Sequence, residues 1–332
     1  MTDKPTNEDF LRLADPMRRE LLAHCYRMMG SVHDAEDQVQ ETYLRAWRAY
    51  DNFEGRSSLR TWLYRIATTT CLTALESRGK RPLPTGLGAP SLEATAPLAL
   101  DAEVPWLEPM PDAKVGAGGA GGDDPAAIVT SRESIRLALI AALQHLPPRQ
   151  RAVLILRDVL RWKAAEVAEA VGTSTAAVNS ALQRARAQLD EVAPSLDDPV
   201  EPLSAEQRAQ LDQYVAAFEN YDIDSLVELF TEDAIWEMPP YTGWYQGPQT
   251  IVDLTKIHCP AKAPGDLKLV PIAANGQPAF ALYFRRGDVY TQFAIAVLAF
   301  SGDRIGHVAM FFEESLFEAF ELPAKWEGSE TK

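Results

Sequence analysis

HDAEDQVQETYLRAWRAY, residues 33–50, decides how the first quarter of the chain folds. Its apolar side chains Ala35, Val39, Tyr43, Ala46, Trp47 and Tyr50 recur at helical spacing and form one stripe. Asp34, Asp37 and Glu41 fall on the other face as an acidic row. Upstream, Gly30 closes a preceding helix and Ser31 caps this one, three residues before Asp34. Downstream, a third helix turns Leu59, Trp62, Leu63, Ile66, Ala67 and Thr70 inward and leaves Arg60 and Arg65 outside. Residues 8–81 therefore read as an all-helical bundle with an acidic face and a basic end, where residues 56–81 hold 6 basic groups and the single acid Glu76.

A second helical unit spans 132–192. WKAAEVAEAVGTSTAAVNSALQRARAQL, residues 162–189, gives a short helix with Val167 and Ala168, a turn at Gly172, and a helix capped by Ser174. In that last helix Val178, Leu182, Ala185 and Leu189 face inward, and Thr175, Ala176, Asn179, Gln183 and Arg186 face out. Such a helix can enter the major groove of DNA, where Asn or Gln pairs with adenine and Arg with guanine or phosphate. The same pattern also suits an ordinary helical hairpin. LPPRQRAVLILRD, residues 146–158, adds a Pro-started helix as a buttress. The third unit, 204–322, begins helical and continues as strands: AIWEM, AFALYF, VYTQFAIAVLAF and IGHVAMFF. SGDR, 301–304, reads as a hairpin turn. This is an α+β pattern, with a curved antiparallel sheet and a pocket at its mouth.

Between the helical units, residues 82–131 contain 7 Gly and 8 Pro and read as a low-complexity connector, a coil spanning about 40 Å. A shorter break lies at 193–204. The formal charge of −15 argues against a nucleic-acid binder only as a total. Residues 1–81 carry net +1 and 132–192 net +3, against −6 on the connector and −13 on residues 193–332. Screening confines such charges to about 8–10 Å, so local basic stripes remain competent for phosphate. No apolar run is long enough to span a membrane, and the N-terminus lacks a signal core. Cys25, Cys71 and Cys259 are too few and scattered for a disulfide framework or zinc cluster, so no metal or cofactor is expected and a reduced cytoplasm fits.

Two stretches carry a family resemblance. GSVHDAEDQVQETYLRAWRAYDNFEGRSSLRTWLYRIATTTCLTALESRGKRP resembles region 2 of extracytoplasmic-function (ECF) sigma factors of the sigma-70 family, and residues 146–189 resemble their region 4. VPWLEPMPD in the connector, with a domain after region 4, is similar to the branch carrying a SnoaL-like (NTF2-like) domain. The fold class expected is thus multidomain: two all-α sigma domains plus a cone-shaped α+β domain. The resemblance implies core RNA polymerase (the β′ clamp helices and β flap) and promoter DNA as partners, and no membrane. Asp34, Asp37, Gln40 and Glu41 match the polymerase-docking helix. Phe53, Arg56, Ser57 and Ser58 match the loop that captures an unpaired −10 base, and Arg60, Trp62, Arg65, Arg78, Lys80 and Arg81 match or suit contacts near the −10 strands. Trp62 also falls on the inward stripe. Ser174, Thr175, Asn179, Gln183, Arg184 and Arg186 are the −35 candidates; Ala176 and Ala177 depart from the bulkier or polar residues frequent there. The connector acids Asp101, Glu103, Glu108, Asp112, Asp123 and Asp124 are placed to imitate phosphates in the polymerase cleft, and Trp106 and Leu107 to pack on the C-terminal domain.

SnoaL-like relatives include cyclases and isomerases that use a pocket carboxylate or His. Glu237, Asp233 and His307 are the candidates for such chemistry, and strand alternation puts His307 on one face with Ile305, Ala309 and Phe311. Trp236, Met238, Tyr241, Trp244 and His307 are the candidate pocket. No Asp–His pair or metal spacing stands out, so the expectation is a regulatory module without catalytic residues, with a small-molecule ligand left open. Two alternatives remain: a cyclase or isomerase fused to a DNA-binding module, and a repressor acting without polymerase.

Overall fold

The computed structural model describes residues 7–116, 134–190 and 202–326. The chain forms two compact units, one of residues 1–81 with 112–199 and one of residues 82–111 with 200–332.

In the helical unit, α1 (Asn7–Ala14), α2 (Arg18–Met29), α3 (Val32–Ala49) and α4 (Leu59–Leu75) make the first bundle. Gly30 ends α2 at φ 72°, a left-handed conformation that costs glycine no Cβ clash. Ser31 Oγ then accepts the Asp34 N–H at 3.0 Å and starts α3. Ala35, Val39, Ala46 and Tyr50 are buried as expected, but Trp47 is 44% exposed. At 100° per residue Trp47 stands about 120° round the helix from Ala35, on the rim of the stripe. The second half contains α5 (Asp112–Val115), α6 (Leu137–Gln144), α7 (Pro148–Leu154), α8 (Ala164–Ala170) and α9 (Thr175–Asp190). α7 starts on Pro148 and runs into a π turn at Ile155–Val159. Gly172, at φ 67°, makes the turn between α8 and α9.

The two helical segments are stapled together by buried arginines. Arg27 donates to Ser134 O at 3.0 Å and Ser134 Oγ at 2.5 Å. Arg151 donates to Met28 O, to Gln144 Oε1 at 2.7 Å, and to the carbonyls of Gln144 and Leu146. Tyr64 and Trp162 meet edge to face, with ring centroids 5.9 Å apart. Burial lowers both guanidinium groups to about 10, which still leaves them charged at neutral pH.

The second unit has α10 (Ala205–Glu219), α11 (Leu226–Leu229) and α12 (Pro248–His258) over a seven-stranded sheet. The strands are β1 (Phe230–Glu237), β2 (Trp244–Gln246), β3 (Leu267–Ala274), β4 (Gln277–Arg286), β5 (Val289–Ser301), β6 (Arg304–Phe311) and β7 (Lys325–Trp326), with α13 (Ser315–Ala319) before the last. The order is β2-β1-β6-β5-β4-β3, with β7 on β5. The wholly antiparallel sheet expected from the sequence is corrected at one pair: β1 and β6 run parallel. No hairpin joins them, so no tight turn fixes their direction. Ser204 caps α10 with a reciprocal Gln207 bond. Trp236, Leu298, Val308 and Met310 join helix residues such as Phe218 and Leu254 in the core.

Two further expectations change. Ile305 sits in that core with Val308 and Met310, so it does not share a face with His307. The β5–β6 register slips there, Phe300 facing Ile305 and Ala299 facing His307, so Gly306 is a bulge that resets the alternation. The connector is not a coil where it is described. Residues 82–111 fold onto the second unit and Asp112–Val115 is helical in the first. The rest of the Gly-rich run, with Asp123 and Asp124, and residues 193–201 of the second break lie outside the described residues.

Candidate functional site

The acidic row of α3 is partly occupied by the chain's own cations. Asp34, expected on a solvated face, is buried and ion-paired with Arg78 and with Arg81, whose Nη2 stands 2.5 Å from Oδ2. Glu36 pairs with Lys114 of α5 at 2.5 Å, and Glu41 with Arg45 at 2.6 Å. Asp37 and Gln40 remain exposed. Arg78 and Arg81, expected at phosphates, are thus engaged with a carboxylate, while Lys80 is exposed.

The loop after α3 is organised by aromatic packing. Phe53 lies 4.8 Å from Trp62 and 6.2 Å, nearly parallel, from Tyr50. Trp62 is half-buried in this cluster rather than deep in the core. Ser58 caps α4 by accepting the Thr61 N–H at 3.1 Å, while Ser57 is half-buried. Every arginine here has a carboxylate partner. Arg56 bonds Glu54 at 2.7 Å; Arg60 forks onto Glu20 at 2.9 and 2.7 Å and lies 5.1 Å above the Tyr64 ring; Arg65 pairs with Glu169 of α8. Glu20 and Glu169 were not singled out in the sequence, because their contacts come from distant positions or another helix.

α9 divides cleanly into two faces. Val178, Leu182, Ala185 and Leu189 are buried, and Ser174, Thr175, Asn179, Gln183, Arg184 and Arg186 are exposed. Ser174 Oγ accepts the Ala177 N–H at 3.2 Å. Arg186 forks onto Asp158 at 2.9 and 2.7 Å.

In the second unit, Trp236, Met238 and Tyr241 line a cavity of about 260 Å³. Trp244 and His307 do not stand on its wall, nor do Glu237 and Asp233. Alternation along β1 explains this: Trp236 and Met238 face the core and Glu237 projects through the other face. There Glu237, fully buried, accepts His307 Nε2 at 2.7 Å and the Thr85 backbone N–H at 3.0 Å. The carboxylate therefore holds the connector. Trp244 also serves it, donating Nε1 to Gly88 O at 2.8 Å, and Asp233 is exposed. Trp106 and Leu107 are both buried; Trp106 Nε1 donates to Asp101 O at 2.8 Å and Leu107 N to Pro82 O at 3.1 Å. Among the described residues no cluster of His, Cys, Asp or Glu could hold a metal.

Comparison with known proteins follows the same division. Residues 13–81 match Sigma-70 region 2, residues 136–189 match Sigma-70, region 4, and residues 211–308 match the SnoaL-like domain. Over 316 residues the chain is 61% identical to the ECF RNA polymerase sigma factor SigG of Mycobacterium tuberculosis, covering 95% of this chain and 84% of the relative. The chain belongs to the ECF sigma-70 family. This ECF sigma factor is also 30% identical to SigJ of the same organism over 245 residues, 72% of this chain and 69% of that one. The crystal structure of M. tuberculosis SigJ matches its fold with a TM-score of 0.61 at 21% identity, covering 95% of this chain and 99% of that one. No described helix is long and apolar enough to cross a membrane.

Proposed function

We propose that this ECF sigma factor directs core RNA polymerase to its promoters through the surfaces just described and that its C-terminal unit regulates this step rather than catalysing a reaction. Asp37, Gln40 and Glu41 of α3 meet the β′ clamp helices, region 4 meets the β flap, and the chain works in the cytoplasm alongside polymerase. The loop at Phe53–Ser58 and the arginines of α4 take the −10 strands, and α9 takes the −35 element.

The observation that carries the DNA assignment is the division of α9, whose Val178, Leu182, Ala185 and Leu189 are buried while Asn179, Gln183 and Arg184 stand in solvent. These are side chains able to read base edges or hold phosphate. Arg60, Arg65 and Arg186 reach DNA by exchanging carboxylates for phosphates, a trade between contacts of one chemical kind. The regulatory reading is supported by the use of Glu237 to hold the connector and by the cavity wall, which has no carboxylate and whose one histidine, His258, is bonded to the connector at Ala94 O.

The test is binding of a fluorescent promoter duplex with an opened −10 segment. The full chain with core polymerase should bind it, and neither should do so alone. Asn179→Ala with Gln183→Ala should weaken that binding about 10- to 100-fold at a fixed −35 sequence. Tight binding by the chain without polymerase would favour a repressor instead.

A further inference from the structure

The connector completes the cavity of the C-terminal unit. Leu98 stands on its wall beside Trp236, Met310 and Phe312. The segment carrying Leu98 is pinned on both sides. His258 Nε2 lies 2.8 Å from Ala94 O, Thr242 N donates to Ala99 O at 2.9 Å, and Asp101 N donates to Pro240 O at 3.0 Å. Leu100 and Tyr241 form a β-bridge between these points.

The wall specifies the chemistry of an occupant. It carries no Lys, Arg, Asp or Glu. Burial pushes the Cys259 thiol up, which keeps it neutral. A charged molecule entering here would lose its hydration and find no counter-charge, whereas a neutral apolar one gains from burial. Tyr241, His258 and Cys259 are placed to meet at most a polar atom or two. Size follows by proportion: since an apolar cavity of about 150 Å³ takes benzene, 260 Å³ takes about ten non-hydrogen atoms.

We propose that this cavity binds a small neutral, mainly apolar molecule of bicyclic size, and that the occupant holds the connector in place because Leu98 is part of the wall. The space exists with Leu98 seated, so such a ligand binds the docked connector and not the released one. Occupancy and docking are therefore linked, and ligand at ten times its Kd favours docking by about elevenfold. The proposal deepens the regulatory reading above and rests on it for its effect on transcription, but not for binding itself.

The experiment uses the full chain with α-tetralone, a neutral bicyclic ketone, and octanoate, an anion of similar size. Calorimetry should show saturable one-to-one binding of α-tetralone and binding of octanoate about tenfold weaker or less. Hydrogen exchange across residues 88–101 should slow with α-tetralone. Leu98→Ala, at a half-buried position, should weaken binding about three- to tenfold with its circular dichroism unchanged. No saturable binding of α-tetralone, equal binding of octanoate, or exchange that is unchanged or faster would each overturn the proposal. Ligand-free transcription with core polymerase, run in parallel, separates the two readings. Normal output without α-tetralone binding rejects this site alone, and absent output rejects the sigma-factor reading whatever the calorimetry shows.

Discussion

In the helical unit, buried arginines join segments far apart in the chain; in the C-terminal unit, a few side chains and the main chain hold the connector. Arg27 and Arg151 join the helical segments through carbonyls, and around them the exposed Arg60 and Arg186 and the half-buried Arg65 lie against carboxylates from other helices or turns. The connector is held instead by Glu237, Asn275 and a run of backbone hydrogen bonds. The two kinds of contact have different competitors. An exposed Arg–carboxylate pair contributes about 0–1 kcal/mol, weakens with salt, and can be replaced by an Arg–phosphate pair. The connector's main-chain bonds offer DNA nothing to exchange with. Nucleic acid should therefore remodel the first unit and leave the second to answer to other signals.

The comparison breaks most visibly at Arg151. Arg151→Leu removes the donor to three carbonyls and the Gln144 side chain, and should cost about 3 kcal/mol in urea unfolding followed by helical circular dichroism. A loss below about 1 kcal/mol would mean that the staple is dispensable. Glu237→Ala should come next, leaving His307 and the Thr85 N–H without their acceptor. At about 2 kcal/mol it should speed hydrogen exchange near Thr85 by more than about tenfold while exchange in α2 stays unchanged.

His24 sharpens the picture of the helical core. Burial, and then the charge of Arg27, lower its pKa to about 3, and its Nε2 lies 3.0 Å from Thr68 Oγ1. Below pH 6.5 the unfolded chain takes up a proton that the folded one refuses. Stability should therefore be complete above that pH and fall by up to about 1.4 kcal/mol per unit between 6.5 and 3. His24→Gln should flatten that slope in acid unfolding curves. The smallest effect is expected at Glu169→Gln, which releases Arg65 and should raise the affinity of the polymerase-bound chain for an opened −10 strand about two- to fivefold. Fluorescence anisotropy measures it, and unchanged affinity would mean that the ion pair does not compete with DNA.

Much of this was legible from local pattern. The Gly30–Ser31 junction, the core side of α9 and the Pro148 start depend on spacing within one turn or two, and each lies where the sequence puts it. What escaped depends on distant partners. Asp34 reads as solvated because Arg78 and Arg81 are more than forty positions away. The connector reads as a coil because composition cannot tell an unbound Pro/Gly segment from one held by its backbone, as Thr85 is by Glu237. His307 and Glu237 read as pocket residues until the Gly306 bulge and the alternation of β1 put them behind the sheet. The exposed face of α9 was visible, whereas the carboxylate holding Arg186 lies in the preceding π turn and was not.

The central claim is tested most directly by transcription with purified core polymerase on genomic DNA, with start sites mapped at single-nucleotide resolution. New starts should appear only when the full chain is added, share one pair of −35 and −10 elements, and disappear with Asn179→Ala plus Gln183→Ala. Starts identical with and without the chain would contradict the claim.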